Sequence, residues 1–222
     1  MKVLAFNGSP NKAGCTDRAM RYVIEELEKE GIEVEYIHIG AKAVQGCVAC
    51  YRCQKNPTGH CAIGNDFINE YIDKMKDADG LLIGAPVYFS GINGTMKAFL
   101  DRFIYPNPYL QNKVAAAVVS LRRTGGSDTF HQLNNYLQLR NMIIPSNRYF
   151  NVIHGMEASE VEQDLEGVQI MKTLGKNMAW LMKCVELGKK EYGVPKLDTR
   201  IRTNFIKDSH VLPEEQKYFG EE

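Results

Sequence analysis

Apolar and polar positions along this chain switch repeatedly between a strand-like and a helix-like spacing. Lys2 to Phe6 is a short apolar run that stops at Asn7-Gly8-Ser9, the pattern of a buried strand entering a tight loop. From Thr16 to Lys29 the apolar residues Ala19, Met20, Val23, Ile24 and Leu27 recur at spacings of three and four. That predicts a helix, and Gly31 supplies its stop. Ile32 to Ile39 predicts a second strand. Asp66 is placed to cap a helix carrying Phe67, Ile68, Tyr71, Ile72 and Met75, and Leu81 to Gly84 predicts a third strand.

A helix through Met96, Phe99, Leu100 and Phe103 then leads to Val114–Ser120, an almost purely apolar run of the kind covered on both faces. The Gly-bearing loop Leu121–Asp128 precedes a helix around Phe130 to Leu139. Met142–Ile144 and the stretch to Val152 predict a fifth strand, interrupted or bent at Pro145. A long helix from about Val161 to Leu187 follows, with Leu165, Val168, Met171, Leu174, Met178, Leu181 and Val185 on one face. Trp180 and Met178 are assigned to packing, because a helical-period apolar stripe is usually core.

Strands that alternate with helices predict an α/β fold with a doubly wound parallel sheet. Residues 1–187 form the expected domain, with a cysteine-rich loop at 46–64. Residues 188–222, with Pro195, Pro213 and many charges, form an expected C-terminal extension that lies on a partner subunit. In that extension Arg200, Arg202, Asn204 and Phe205 are placed to cover a neighbour's ligand.

Composition narrows the function classes. The 222 residues carry 27 Lys plus Arg against 27 Asp plus Glu, so no basic field argues for nucleic acid. No apolar stretch approaches the roughly 20 residues needed to span a bilayer. The N-terminal run enters a Gly/Ser/Asn loop where a signal peptide would continue its apolar core. The expectation is a cytoplasmic protein, where clustered cysteines more often bind metal or do redox work than form structural disulfides.

Four of the six cysteines, Cys47, Cys50, Cys53 and Cys61, follow one another as C-x2-C-x2-C-x7-C in the loop after the second strand. Soft thiolates in this density select iron-sulfur clusters or zinc. Zinc ranks lower, because structural zinc sites usually pair two separated Cys/His knuckles. Cysteines with no metal, retained or transiently redox active, are the third reading. His60 is a possible substitute ligand, although a lone loop histidine is more often simply solvated. Cys15 and Cys184 fall on predicted helices, where a small buried hydrophobe is the default.

Three further loops lie at the carboxyl ends of predicted strands, where open parallel sheets bind ligands. The first offers Ser9 and Thr16 hydroxyls, amides freed by Gly8 and Gly14, and a helix N-terminus, which together suit a phosphate. It is neither G-x-G-x-x-G nor a P-loop, so a monophosphate on a short chain, such as the FMN tail, fits better than a dinucleotide or ATP. An ordinary Gly/Ser turn is the bland alternative. In Pro86-Val87-Tyr88-Phe89 the aromatics can rest against a flat ring, or simply pack in a core or interface. Arg122 and Arg123 in the third loop can meet a flavin or the phosphates of NAD(P)H, or remain solvated charge.

The segments NGSPNKAGCT, GCVACYRCQKNPTGHCAIGNDF and GAPVYFSGINGTMKAFLDR, in this order and at consistent spacing, resemble the NADPH-dependent FMN reductase family of flavodoxin-like proteins. More narrowly they are similar to its iron-sulfur flavoprotein branch. The resemblance covers residues 1 to about 150. It implies a five-stranded sheet in the order 2-1-3-4-5, noncovalent FMN, and a homodimer or homotetramer whose subunits help enclose the flavin. It implies that Ser9, Asn11, Lys12, Cys15 and Thr16 hold the phosphate. Pro86, Val87, Tyr88, Phe89, Ser90 and Gly91 would line the isoalloxazine, with Ser120, Arg122, Gly125 and Gly126 nearby. Members often have Asn where this chain has Cys15 and Arg where it has Asn11, which shifts weight to backbone amides and Lys12.

For the cysteine loop the resemblance implies a 4Fe-4S cluster on Cys47, Cys50, Cys53 and Cys61. The expected activity is that of an oxidoreductase passing electrons from NAD(P)H or ferredoxin, through FMN and the cluster, to a small-molecule or protein acceptor. No catalytic acid, base or nucleophile is named, since the cofactor carries the chemistry. Two alternatives stand beside it. One is an FMN-only NAD(P)H:quinone or azo-compound reductase, the other a zinc-stapled, non-enzymatic binding module on the same fold.

Overall fold

The computed structural model describes residues 1–197. Its strands and helices are β1 (Lys2–Asn7), α1 (Cys15–Lys29), β2 (Glu33–His38), α2 (Arg52–Lys55), α3 (Ile68–Lys74), β3 (Gly80–Tyr88), β4 (Gly91–Ile92), α4 (Gly94–Ile104), β5 (Val114–Leu121), α5 (Gly126–Leu139), β6 (Val152–His154) and α6 (Leu165–Tyr192). The sheet runs β2-β1-β3-β5-β6, and the short β4 pairs antiparallel with the end of β3. With β4 set aside this is the expected 2-1-3-4-5 order, and every pairing along it is parallel.

Alternation in the strands builds a core on each face of the sheet. Leu4 and Phe6 of β1 join Leu81, Ile83, Ala115, Ala117 and the aromatic faces of α3 and α4 on one side. Val3 and Ala5 turn the other way, to Leu82, Ala116, Val118 and the buried faces of α1 and α6. β5 is buried along its whole length, which is why its sequence reads as one apolar run.

Two expectations change in extent. The fifth strand is interrupted at Pro145 as expected, but the break is long: Ile143 makes a single bridge to Val114, the chain leaves the sheet around Pro145, and β6 pairs with Val119–Leu121 only from Val152 onward. Proline has no N–H to give to a ladder, so the pairing breaks there. The last helix also starts and stops later. Asp164 caps it by accepting the Gly167 N–H at 2.9 Å, and it passes Gly188 to end at Gly193, whose φ is +72°. Gly188 faces open space, where a single helical glycine costs only about 1 kcal/mol. Trp180, assigned to packing, is 68% exposed, whereas Met178 is fully buried. Arg200, Arg202, Asn204 and Phe205 lie outside the described residues.

Candidate functional site

Strand order reverses beside β1, so the crevice beyond the ends of β1, β3 and β5 is where such a sheet receives a ligand. The loop after β1 is folded by its own polar side chains. Buried Asn7 accepts the Ser9 N–H at 2.9 Å, Ser9 Oγ accepts the Asn11 N–H at 3.2 Å, and Asn11 Oδ1 accepts the Ala13 N–H at 3.3 Å. His38 Nε2 lies 2.7 Å from the Ser9 carbonyl. Gly40 presses on the same peptide so closely that a Cβ there would lie 1.9 Å from Ser9 O. Only glycine fits.

α1 begins immediately afterwards, and no side chain caps it. Its first amides therefore lack partners within the helix and carry the positive end of its dipole. Thr16 Oγ1 lies 2.7 Å from Ser120 Oγ in a buried contact that ties this loop to the end of β5. Ser9, Asn11, Cys15, Thr16, Pro86, Val87, Ser120 and Arg122 all line one cavity of about 340 Å³. Three loops distant in sequence meet there. An uncapped helix start with two hydroxyls beside it suits a phosphate, so the residues present fit an FMN tail. Glu157, on the same lining, works against an anion.

Not every expected residue lies on that lining. Lys12 is exposed and is not among the residues that line it. Tyr88 and Gly91 pair across the β3–β4 hairpin, which leaves Phe89 and Ser90 as its two-residue turn, with φ of +49° and +58°. Two positive φ values define the mirror-image turn that normally takes Asn-Gly. Phe89 in such a turn is strained, and its ring is fully exposed. Gly125, at φ +85°, lies under this hairpin, where a Cβ would come within 2.7 Å of Ser90. Gly125 and Gly126 line a neighbouring cavity of about 380 Å³ together with Arg123, so the arginine pair is divided between two pockets.

The loop Gly155–Ala158 after β6 escaped the sequence reading, yet it closes the first cavity. Cys15 Sγ donates to the Gly155 carbonyl at 3.2 Å. Burial pushes the Cys15 thiol up, and Glu160 and Glu157 add to that, so it stays a protonated donor. Nothing in the short β6 pattern advertised the loop, because its place depends on the split edge strand.

The cysteine loop has almost no regular structure apart from the single turn of α2. Ala49 and Tyr51, between the cysteines, take left-handed φ values of +49° and +53°. Cys47, Cys50, Cys53 and Cys61 all line one cavity of about 440 Å³, walled opposite by Leu100, Ile104 and Leu139. Burial raises the Cys53 thiol, and the other three cysteines raise it further. Among the described residues no three His, Cys, Asp or Glu side chains converge as a single ion would require. The donor set on this lining is four thiols, the ligand type that soft-metal centres take, iron-sulfur clusters and zinc alike. His60 is engaged elsewhere, with its Nε2 2.7 Å from Asp73.

Arg102 of α4, a side chain with no solvent exposure, fastens this loop together with Asn69, which accepts the Cys61 N–H and donates to the Cys61 carbonyl, both at 2.9 Å. Arg102 Nε donates to Cys61 Sγ at 3.2 Å. Nη1 reaches the Gln45 carbonyl at 3.0 Å and Asp66 at 2.5 Å, and Nη2 reaches the Ile63 carbonyl at 2.7 Å and Asp66 at 3.1 Å. Asp66 also accepts the Ile68 N–H at 3.2 Å, but Phe67 is the residue at the N-cap of α3, so Asp66 closes a turn ahead of the helix rather than capping it as expected. Burial alone would lower the Arg102 pKa, but the bonds to Asp66 and Cys61 outweigh it. The available signal was a charge inside a stripe of Met96, Phe99 and Phe103.

The fold is flavodoxin-like, and the family comparison supplies the class, an oxidoreductase. The family model described as NADPH-dependent FMN reductase matches residues 1–157, so the chain belongs to that family of FMN-dependent flavoproteins. Within it the chain is 33% identical to "Iron-sulfur flavoprotein MJ1083" of Methanocaldococcus jannaschii, over 84% of this chain and 100% of the relative. It is 28% identical to an iron-sulfur flavoprotein of Methanosarcina thermophila, over 84% of this chain and 97% of that one. The fold matches the crystal structure of RosB with TM-score 0.67 and 18% identity, covering 100% of this chain and 98% of that one. It also matches an NAD(P)H:quinone oxidoreductase from Methanothermobacter marburgensis, with TM-score 0.64, 14% identity, and coverage of 80% and 96%. No helix among the described residues is long and apolar enough to cross a membrane.

Proposed function

We propose that this protein is an electron-transfer flavoprotein with two centres, FMN in the strand-end cavity and a 4Fe-4S cluster on Cys47, Cys50, Cys53 and Cys61. It takes electrons from NAD(P)H or ferredoxin and delivers them to a small-molecule or protein acceptor. The carrying observation is that α4 serves both sites. At its start Asn93 donates to the Gly8 carbonyl at 2.7 Å beside the phosphate loop, and near its end Arg102 grips the cysteine loop. At 1.5 Å per residue the two anchor points are about 14 Å apart along the helix.

Bound FMN supplies exchange between two-electron and one-electron chemistry, and a cluster supplies one-electron transfer. The chain's own residues do the holding. Ser9, Thr16 and the first amides of α1 take the phosphate, Arg122 offers a charge at the cavity rim, and Pro86 and Val87 form the wall toward the ring. Tyr88, Phe89, Ser90 and Gly91 then stand outside this cavity, where a second subunit of a homodimer or homotetramer can meet them. Exposed Tyr88 and fully exposed Phe89 support that assembly.

The test is iron, acid-labile sulfide and FMN per chain in protein purified without oxygen. Four iron and one FMN are expected. FMN without iron would reduce the reading to a simple flavin reductase, and zinc without flavin would sink it.

A further inference from the structure

We propose that Arg102 is a positioning residue that tunes the electron affinity of the cysteine-held cluster through Cys61, an inference that rests on the two-centre reading above. A guanidinium has five N–H donors. Here five contacts use them: one to the Cys61 sulfur, two to main-chain carbonyls at Gln45 and Ile63, and two to Asp66. The carbonyls lie on either side of the cysteine run, so one side chain clamps both ends of the loop. The fork to Asp66 fixes the plane of the guanidinium, and that plane aims Nε at Cys61.

The electrostatic consequence follows from where the charge is kept. Arg102 is buried, so its field is poorly screened, and the carboxylate of Asp66 offsets part of it. Reduction adds one negative charge to a cluster. A donor aimed at a ligand sulfur favours the more negative form and raises the potential, as hydrogen bonds to cluster sulfurs do. Asp66 acts with the opposite sign while holding the donor in place. The pair is therefore a setting with two separable parts, one directional and one purely charged.

Two variants separate them. Arg102→Lys keeps the charge but replaces the planar fork with a compact ammonium that cannot hold Asp66 in two places and also present a donor at the Nε position. Asp66→Asn keeps Oδ1 for the Ile68 N–H and for Nη2, so one arm of the fork and both carbonyl bonds still hold the guanidinium while the negative charge is removed. Wild type and both variants, purified anaerobically with both cofactors, are titrated against redox dyes, with the cluster followed by electron paramagnetic resonance and the flavin by absorbance.

At fixed poise the reduced-to-oxidised ratio of the cluster should fall about tenfold in Arg102→Lys, equivalent to about 59 mV for a one-electron couple. It should rise in Asp66→Asn, and the flavin potential should stay unchanged in both. A purely structural role predicts lost iron but no opposed shifts. Should Arg102→Lys fail to fold or to hold iron, the rise in Asp66→Asn still decides the matter. Unmoved cluster potentials, or shifts of the same sign, overturn the tuning alone. Wild-type protein with no iron overturns the two-centre reading and the tuning with it.

Discussion

The strand-end cavity and the cysteine loop are built by opposite means. The first is a by-product of the sheet: Asn7, Pro86 and Ser120 sit at strand ends whose positions are set by parallel pairing, and the loop after β1 is braced by Asn7, Ser9, Asn11 and Gly40. The second has no ladder and little helix, and its main fastening is one buried arginine bonded to main-chain carbonyls and a carboxylate. A site carried by secondary structure spreads its stability over many bonds. A site carried by a loop concentrates it in few, so one substitution should separate the two regions.

The largest effect is expected at Arg102. Arg102→Met leaves Asp66 charged, partly buried and unpaired, and should cost about 3–5 kcal/mol in urea unfolding. It should also empty the cysteine loop of iron while FMN stays bound. Loss of FMN as well would show that α4 couples the regions rigidly. The mirror experiment is Gly40→Ala, whose Cβ would collide with Ser9 O at 1.9 Å. Crowding of that kind costs about 1–3 kcal/mol. Flavin binding, read by fluorescence quenching, should fail while iron per chain is kept.

Thr16→Val removes the buried contact to Ser120 and one hydroxyl from the cavity. A loss of about 1.4 kcal/mol makes the Kd for FMN about tenfold weaker, and an unchanged Kd would remove Thr16 from the phosphate site. Asp164→Ala tests the support beneath the Gly155–Ala158 loop, since Asp164 accepts from both Gly167 and His154. Burial alone would raise the Asp164 pKa, but those N–H donors and the His154 ring hold it below the ordinary carboxylate value. Its contribution, about 1–2 kcal/mol, is therefore complete above about pH 4 and lost as pH falls through the lowered pKa. Wild type and variant should differ in stability at neutral pH and converge in acid.

The smallest effect has the opposite sign. Replacing Phe89-Ser90 with Asn-Gly suits the positive φ values of the β3–β4 turn and should stabilise the protein by about 1 kcal/mol. If Phe89 serves assembly, the same change lowers the mass measured by light scattering. A more stable chain with unchanged mass would dismiss that role.

Much of the fold was legible because each face of the sheet needs its own apolar set, which printed continuous apolar runs at β1, β3 and β5. The loop proposed for the phosphate could be picked out because Ser9, Gly14 and Thr16 lie close together in sequence, as do the four cysteines. The split of the last strand was half visible at Pro145, but its resumption at Val152 was not. Three residues of pairing carry too little pattern to read.

The sequence by itself determined the parallel α/β frame and the family, and it laid out the loop proposed for the phosphate and the four-cysteine run proposed for the cluster, since each depends on local spacing or strand-scale periodicity. Only the tertiary structure decided that Arg102 fastens the cysteine loop, that Gly155–Ala158 closes the first cavity, that Arg122 and Arg123 part company, and that Phe89 stands in solvent. Those facts depend on contacts between segments far apart in the chain, as Arg102 and Asp66 or Cys15 and Gly155 are. Burial and pairing across such separations are products of packing, and no local pattern records them.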